Sequence, residues 1–370
     1  MSEVSAAFPS FLSMADIAGE AGRRWGAGLT AHVEEGGGED QTRRANEVAF
    51  DRLNIWPRVL ADVSQGHTAL TLLGEPFVHP VLLGPLAYQS ALHRDGELAT
   101  AEAATAMDAG MVLSTLSSCS LEAVAAELPA RKWFQLYFQA RAEDTLRLVR
   151  RAEGAGYSAL VVTVDVPVHG PRLRSQQAGF VMPEHVRAVN LAGMSAAQTH
   201  YLQAQDSVIF QGHMASAPRW DSIVWLRQQT ALPIILKGIL HPQDAVLAKK
   251  LGVAGVVVSN HGGRALEGSP ASIAVLPQVR AAVGDDFLLL LDGGIRRGSD
   301  VFKALALGAQ AVLLGRPQAY GLGAAGALGV AQVLRLLREE LELTMALAGC
   351  ATLADISAAC LVNPNEFSAC

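Results

Sequence analysis

A closed barrel of eight parallel strands, each followed by a helix, is the fold class that this sequence predicts. Three features predict it: short apolar runs recur along the chain, the stretches between them have helical period, and the first run lacks a G-x-G-x-x-G turn. The runs are PVLLGPLAYQ (80–89), GMVLST (110–115), KWFQLYF (132–138), ALVVTVDVP (159–167), LPIILKG (232–238), GVVVSNHGG (255–263), FLLLLDGG (287–294) and AVLLGRP (311–317). Unbroken apolar runs without alternation suit parallel strands covered on both faces. GELATAEAATAMDAG, AEDTLRLVRRAEGAG, HPQDAVLAKKLG and SDVFKALALGA read as the helices between them. The last three of these carry an acidic residue near the start and glycine at the end, as helix termini favour. Strand then helix, eight times, is the TIM (β/α)8 barrel, an α/β fold. An open doubly wound sheet is the alternative, but its glycine fingerprint belongs after the first strand, where GPLAYQSALH stands.

Two regions depart from the repeat. Residues 1–79 are expected to form helices and a short hairpin that close the barrel bottom, leaving 80–370 as the barrel itself, with one structural domain overall. Residues 168–216 form a long insertion after the fourth strand and carry His169, Arg172 and Arg174. Its position places it at the C-terminal mouth, where long insertions act as lids. After residue 325 the chain reads as one long helix stopped by Gly349.

Composition narrows the function. The chain is 50% hydrophobic and its net charge is −6, so a core is easily filled and no basic field offers itself to nucleic acid. No unbroken apolar stretch reaches the ~20 residues of a membrane span, and the first residues lack the pattern of a signal peptide. Cys119, Cys350, Cys360 and Cys370 form no C-x-x-C pair, so neither a disulfide framework nor a metal site is expected. Reduced thiols in a cytoplasmic protein are the expectation.

In a TIM barrel the chemistry lies at strand C-termini. Here those ends carry Gln135 and Tyr137, Thr163 and Asp165, Lys237, Ser259 to His261, Asp292, and Gly315 with Arg316. His261 is the candidate base, because imidazole titrates near working pH, and Asp165 could orient its ring. Arg264 and Arg172 suit a carboxylate substrate held by bidentate contacts. The LDGGIRRGSD and LLGRP turns bring Gly293, Gly294, Arg296, Gly315 and Arg316 to the last two strands. That is the usual phosphate site of this fold. Lys237 reads either as a Schiff-base lysine or as a cation beside a flavin ring.

These residues also resemble a family, the FMN-dependent 2-hydroxy-acid oxidases and dehydrogenases. The resemblance rests on SNHGGRALEGSPASI (259–273), GGGEDQ (36–41), FQLYF (134–138), TVDVP (163–167), LPIILKG, LDGGIRRGSDVFKALALGA (291–309), LLGRP and ELTMALAGC (342–350). It implies FMN as cofactor and oxidation of an (S)-2-hydroxy acid to the 2-oxo acid, with electrons passed to oxygen or another acceptor. By resemblance His261 takes the proton with Asp165 as partner, Arg172 and Arg264 bind the carboxylate, and Tyr137 contacts the hydroxyl. Pro85, Leu86, Ala87, Ser114, Gln135, Thr163, Lys237, Ser259 and Asp292 would hold the flavin and its ribityl chain. Gly293, Gly294, Arg296, Gly315 and Arg316 would hold its phosphate. A homotetramer is also implied. Val33 stands where many members have a carboxylate-binding tyrosine, and Leu116, Tyr88 and Glu267 also depart, indicating a pocket for a bulkier or less standard acid. Two other readings remain: a lysine-dependent aldolase built on Lys237, and a catalytically silent flavin-binding paralogue.

Overall fold

The structure is a computed structural model that describes residues 11–168, 170–195 and 202–362. Its strands and helices alternate around a closed barrel. A hairpin of β1 (Leu70–Leu72) and β2 (Glu75–Phe77) precedes eight parallel strands: β3 (Val81–Leu83), β4 (Gly110–Ser114), β5 (Lys132–Leu136), β6 (Ala159–Thr163), β7 (Ile234–Ile239), β8 (Gly255–Val258), β9 (Leu288–Asp292) and β10 (Ala311–Leu314). Each pairs with the next, and β10 closes on β3. Each predicted run contains one of these strands except the fifth, whose strand β7 runs one residue past it to Ile239. The strands are shorter than the runs, so Ser114, Gln135, Thr163, Lys237 and Asp292 sit near the C-terminal ends of strands, whereas Tyr137, Asp165, His261 and Arg316 lie just beyond them.

Two helices, α1 (Met14–Glu34) and α2 (Gln41–Asp51), come before the hairpin. Around the barrel follow α3 (Gly96–Ala106), α4 (Leu121–Glu127), α5 (Ala142–Gly154), α6 (Leu173–Gln177) within the insertion, α7 (Trp220–Gln229), α8 (Pro242–Lys250), α9 (Ser272–Val283), α10 (Gly298–Ala306) and α11 (Arg316–Ala348). The backbone of α11 breaks at Ala325 and Gly326, so the long helix expected after 325 is its second limb, ended by Gly349 in the left-handed conformation. By length and composition α11 could cross a membrane, but 72% of its apolar window is buried inside the fold, as in a core helix.

Side chains of alternate strand positions fill the barrel. Leu82, Val112, Trp133, Val161, Ile235, Val257, Leu290 and Leu313 form its interior cluster with Leu72 and Phe77 of the hairpin. The ring of Phe77 meets Trp133 edge-on at 6.2 Å between centroids. Glu75 accepts hydrogen bonds from Arg131 N and Ser158 Oγ, which lie just before β5 and β6. The hairpin therefore plugs the N-terminal end, as expected of that segment.

The helices of residues 1–79 do something else. The last turn of α1 and the chain joining it to α2 run over the C-terminal mouth, where the carbonyls of His32, Val33, Glu35 and Gly36 accept hydrogen bonds from arginines of the barrel loops. The expectation that the whole segment closes the bottom is thus corrected. The reason is hydrogen-bonding capacity: main-chain carbonyls can satisfy guanidiniums at the mouth, and an apolar hairpin suits the dry lower end. His169 of the insertion lies outside the described residues.

Phe77→Ala should leave a cavity against Trp133 and Gly110 and lower stability by about 3–5 kcal/mol. Denaturant unfolding measures this, and wild-type stability in the variant would contradict the plug.

Candidate active site

The mouth is a cavity of about 460 Å³, within the range of small-molecule sites. Pro85, Leu86, Ala87, Ser114, Gln135, Tyr137, Thr163, Arg172, Lys237, His261, Arg264, Asp292, Gly293, Gly294, Arg296, Gly315 and Arg316 all line it. Seventeen of the nineteen residues predicted for the site therefore share one cavity. The other two, Asp165 and Ser259, lie behind the wall and act through their neighbours.

A polar row crosses the strand ends. Gln135 Oε1 accepts from Ser114 Oγ at 3.2 Å, and Gln135 Nε2 donates to Thr163 Oγ1 at 3.1 Å. Thr163 is paired in register with Lys237. The buried Lys237 Nζ lies 2.7 Å from Asp292 Oδ2 and donates to Ser259 Oγ at 3.0 Å. Burial works against the ammonium, but Asp292 and then Asp165 outweigh it and raise its pKa. A Schiff-base lysine needs a free amine and hence a lowered pKa. The aldolase reading of Lys237 fails on this point.

His261 Nδ1 lies 3.0 Å from Asp165 Oδ1. Burial pushes the Asp165 carboxyl up, yet the charge and hydrogen bond of His261, with Lys237, hold it below the usual range. The backbone makes room for this carboxylate at Gly238: a Cβ there would stand 2.4 Å from Asp165 Cβ, and its φ of 110° is one that side chains disfavour. His261 itself has φ 59°, and its N–H donates to Ser259 Oγ. Ser259 is fully buried. Its hydroxyl bridges Lys237 Nζ and the backbone N–H of His261. The loop of His261 is pinned from outside by a reciprocal amide pair, Asn46 with Asn260, both bonds 2.8 Å.

Three guanidiniums face this base. Arg264 Nη1 donates to the carbonyls of His32 and Glu35 at 3.0 and 2.8 Å. Arg172 donates to the carbonyls of Gly36 and Arg264, both at 2.9 Å. Arg316 donates to those of Val33, Gly262 and Glu35. Among the described residues none of the three forms an ion pair. Burial, then Arg172 and Arg316, pull the Arg264 pKa down to about 9, and burial, then Arg296, pulls that of Arg316 down to about 10. A guanidinium keeps its proton in proteins, so this electrostatic cost appears as affinity for an anion. Burial pushes the Tyr137 phenol up to about 12, which keeps it a hydrogen-bond donor.

The residues present fit FMN. Asp292 Oδ1 is buried with no partner and can accept from a ribityl hydroxyl. Gly293 and Gly294 have φ of 94° and 88°, and α11 is preceded by Gly315 as an N-cap without a side chain, so its N-terminal dipole is free for a phosphate. Arg316 stands beside it. Arg296 is partly engaged, with Nη2 on Glu47 at 2.9 Å.

The chain belongs to the FMN-dependent dehydrogenase family. The family matches residues 21–363. An L-lactate oxidase of Alicycliphilus denitrificans is 51% identical over 90% of this chain and 91% of its own length. A peroxisomal (S)-2-hydroxyacid oxidase of Arabidopsis thaliana is 44% identical over 90% and 91%. A crystal structure of mandelate oxidase with (S)-2-phenylpropionate superposes with a TM-score of 0.86 at 40% identity, covering 95% of this chain and 98% of that one. The protein is an FMN-dependent oxidoreductase acting on 2-hydroxy acids.

Other departures resolve differently. Val33, Leu116 and Tyr88 line the cavity, as do Leu29, His32 and Met182, which sequence reasoning missed. His32 stacks on Phe180 of the insertion at 4.5 Å, and burial, with Arg264, lowers its pKa to about 4, so it is neutral at working pH. No motif marked it, because its place follows from the path of α1. Glu267 has no part in the pocket: its carboxylate accepts the N–H groups of Glu39 and Gln41 at the start of α2.

Asp165→Asn should retain FMN and slow turnover by about 100- to 10,000-fold, the range of general acid–base catalysis. Unchanged turnover would remove Asp165 from the proton path. Its folded pKa is depressed, so its contribution to stability is full above about pH 4 and disappears as pH falls through the folded value. The Asn variant should therefore show a flatter acid limb in a pH–stability profile. Arg264→Met should raise KM by the equivalent of about 2–5 kcal/mol while the protein stays yellow. A KM equal to wild type would exclude Arg264 from carboxylate binding.

Proposed function

We propose that the enzyme oxidises (S)-2-hydroxy acids with an apolar side chain to 2-oxo acids, using oxygen as acceptor. The observation that carries the reaction is the His261–Asp165 pair at 3.0 Å in a cavity shared with Arg172 and Arg264. In this reading the two arginines bind the substrate carboxylate. Tyr137 donates to the substrate oxygen. His261 takes the proton, and the Asp165 carboxylate stabilises the resulting imidazolium. Bound FMN would supply the two-electron acceptor, from which electrons pass to oxygen as hydrogen peroxide. Lys237 would hold positive charge beside the ring, Pro85 to Ala87 would line its face, and Ser114, Gln135 and Thr163 would offer its hydrogen bonds.

Handedness and acceptor follow the relatives, which are named L-lactate and (S)-2-hydroxyacid oxidases. The apolar side chain follows the wall of Leu29, Val33, Leu116 and Met182. An intact base and three guanidiniums without acidic partners speak against a silent paralogue, since idle buried charge is costly.

We extend the proposal to a homotetramer in the cytoplasm. Exposed Trp56, Val59 and Leu60 adjoin exposed Leu343 and Leu347 of α11, where Arg58 N donates to Leu347 O. Such an apolar patch suits a subunit contact. The free thiols of Cys119, Cys350 and Cys360 suit a reducing compartment. Light scattering should give four chains of 39.0 kDa, and Leu60→Asp with Leu347→Asp should reduce that mass; a wild-type monomer would sink the assembly.

Oxygen uptake with paired enantiomers tests the reaction. The (S) forms of lactate, mandelate and longer aliphatic acids should each yield one peroxide per oxygen, and glycolate should be slower. Preference for the (R) forms would overturn the handedness. Flavin reduction without oxygen uptake would make the enzyme a dehydrogenase with another acceptor. Val33→Tyr should lower KM for glycolate by restoring a carboxylate hydrogen bond, worth about 1–3 kcal/mol. No gain with glycolate would mean that Val33 does not set the choice of acid.

A further inference from the structure

The cysteines fall into two kinds. Among the described residues Cys119 has no thiol neighbour, and burial, then Glu97, push its thiol up to about 11. Cys350 and Cys360 meet, with Sγ atoms 3.8 Å apart and both within reach of Asp355 O, at 3.6 and 3.7 Å. The backbone on each side fixes this meeting. Cys350 follows Gly349, which ends α11, and its N–H donates to Met345 O at 2.9 Å. Cys360 ends a short turn, its N–H donates to Ser357 O at 2.9 Å, and its carbonyl accepts from Trp56 N at 2.8 Å. The next residue, Leu361, bridges to Ile55. Neither cysteine lines the catalytic cavity.

We propose that Cys350 and Cys360 form a peroxide-oxidised disulfide site, separate from the catalytic centre. The contact supplies the geometry, since two thiols 3.8 Å apart can resolve an oxidised sulfur before it reacts further. Cys350 is buried and Cys360 half-exposed, so the order of events is set. The Cys360 thiolate attacks hydrogen peroxide: an S–O bond forms, the O–O bond breaks, and hydroxide leaves as water with one proton. The Cys350 sulfur then attacks the Cys360 sulfenic sulfur: the S–S bond forms, the S–O bond breaks, and a second water leaves with the Cys350 proton. Two thiols lose two electrons and two protons, and one peroxide becomes two waters. Burial, then the neighbouring Cys360, push the Cys350 thiol up to about 12, so Cys350 is not the first to attack, and its contact with Cys360 is what brings it to the sulfenic sulfur.

The bond closes a short loop between the end of α11 and the turn that pairs with residues 54–56. Cross-linking restricts the unfolded chain, so the oxidised form is the more heat-stable one, and a dithiol returns it. The oxidase reading supplies peroxide at the enzyme, but added peroxide serves equally, so the two proposals fail separately.

The test treats the full-length holoenzyme with equimolar hydrogen peroxide, then counts thiols in denaturant and maps peptides. Cleavage before Asp355 and after Glu366 puts Cys350, Cys360 and Cys370 on different peptides. Two of the four thiols should be lost, with the Cys350 and Cys360 peptides joined, and Tm should rise by a few degrees and return with dithiothreitol. Cys360→Ser should keep wild-type turnover and lose that rise. Four surviving thiols, a link through Cys119 or Cys370, a sulfinic Cys360, or the same rise in Cys360→Ser would each overturn the proposal.

Discussion

Positive charge held out of water without an acid of its own governs this molecule. Arg172, Arg264 and Arg316 converge on one cavity and are satisfied by carbonyl oxygens instead of carboxylates. Carbonyls fix the direction of a guanidinium but do not cancel its charge. The buried carboxylates of Glu35 and Asp40 offset part of this charge without pairing with it, and a barrel mouth with two anion sites suits a ligand phosphate at one and a substrate carboxylate at the other. The same charge explains the shape of the chain before the barrel. Residues 32–36 supply most of the carbonyls, so α1 and α2 are drawn over the mouth, and Asn46 locks α2 to the loop of His261.

The acids present are placed with equal economy. Asp292 neutralises Lys237 with one oxygen and keeps the other free. Asp165 lies against His261 in a space that exists because residue 238 is glycine. Ser259 joins the Lys237 ammonium to the backbone of His261 through one hydroxyl. Base, cation and ribityl acceptor are thus one connected network, and a change at any member moves the others.

Much of this was legible in the sequence because the barrel repeats a simple rule. An apolar run buried on both faces has one place for a polar residue, its C-terminal end, so Gln135, Thr163, Lys237, Asp292 and Arg316 announced both strand and site. Asp165 and His261 were legible as a pair for the same reason. Residues governed by chain path were not legible. His32, Leu29 and Met182 come to the cavity through the route of α1 and of the insertion, and no periodicity records where such segments cross. The bottom-closing role given to residues 1–79 holds for the hairpin, whose Leu72 and Phe77 pack into the barrel, but not for α1 and α2, which are held by main-chain carbonyls that every sequence contains. Ser259 and Glu267 carried the right chemistry but act on neighbouring protein groups, one behind the wall and one at the start of α2.

The most direct measurement is the anaerobic absorption spectrum of the purified protein, reconstituted with FMN, before and after addition of an (S)-2-hydroxy acid. The account requires flavin bands that bleach with the acid in the wild type and persist in His261→Ala. A protein that binds no FMN, or a His261→Ala variant that bleaches at the wild-type rate, would contradict it.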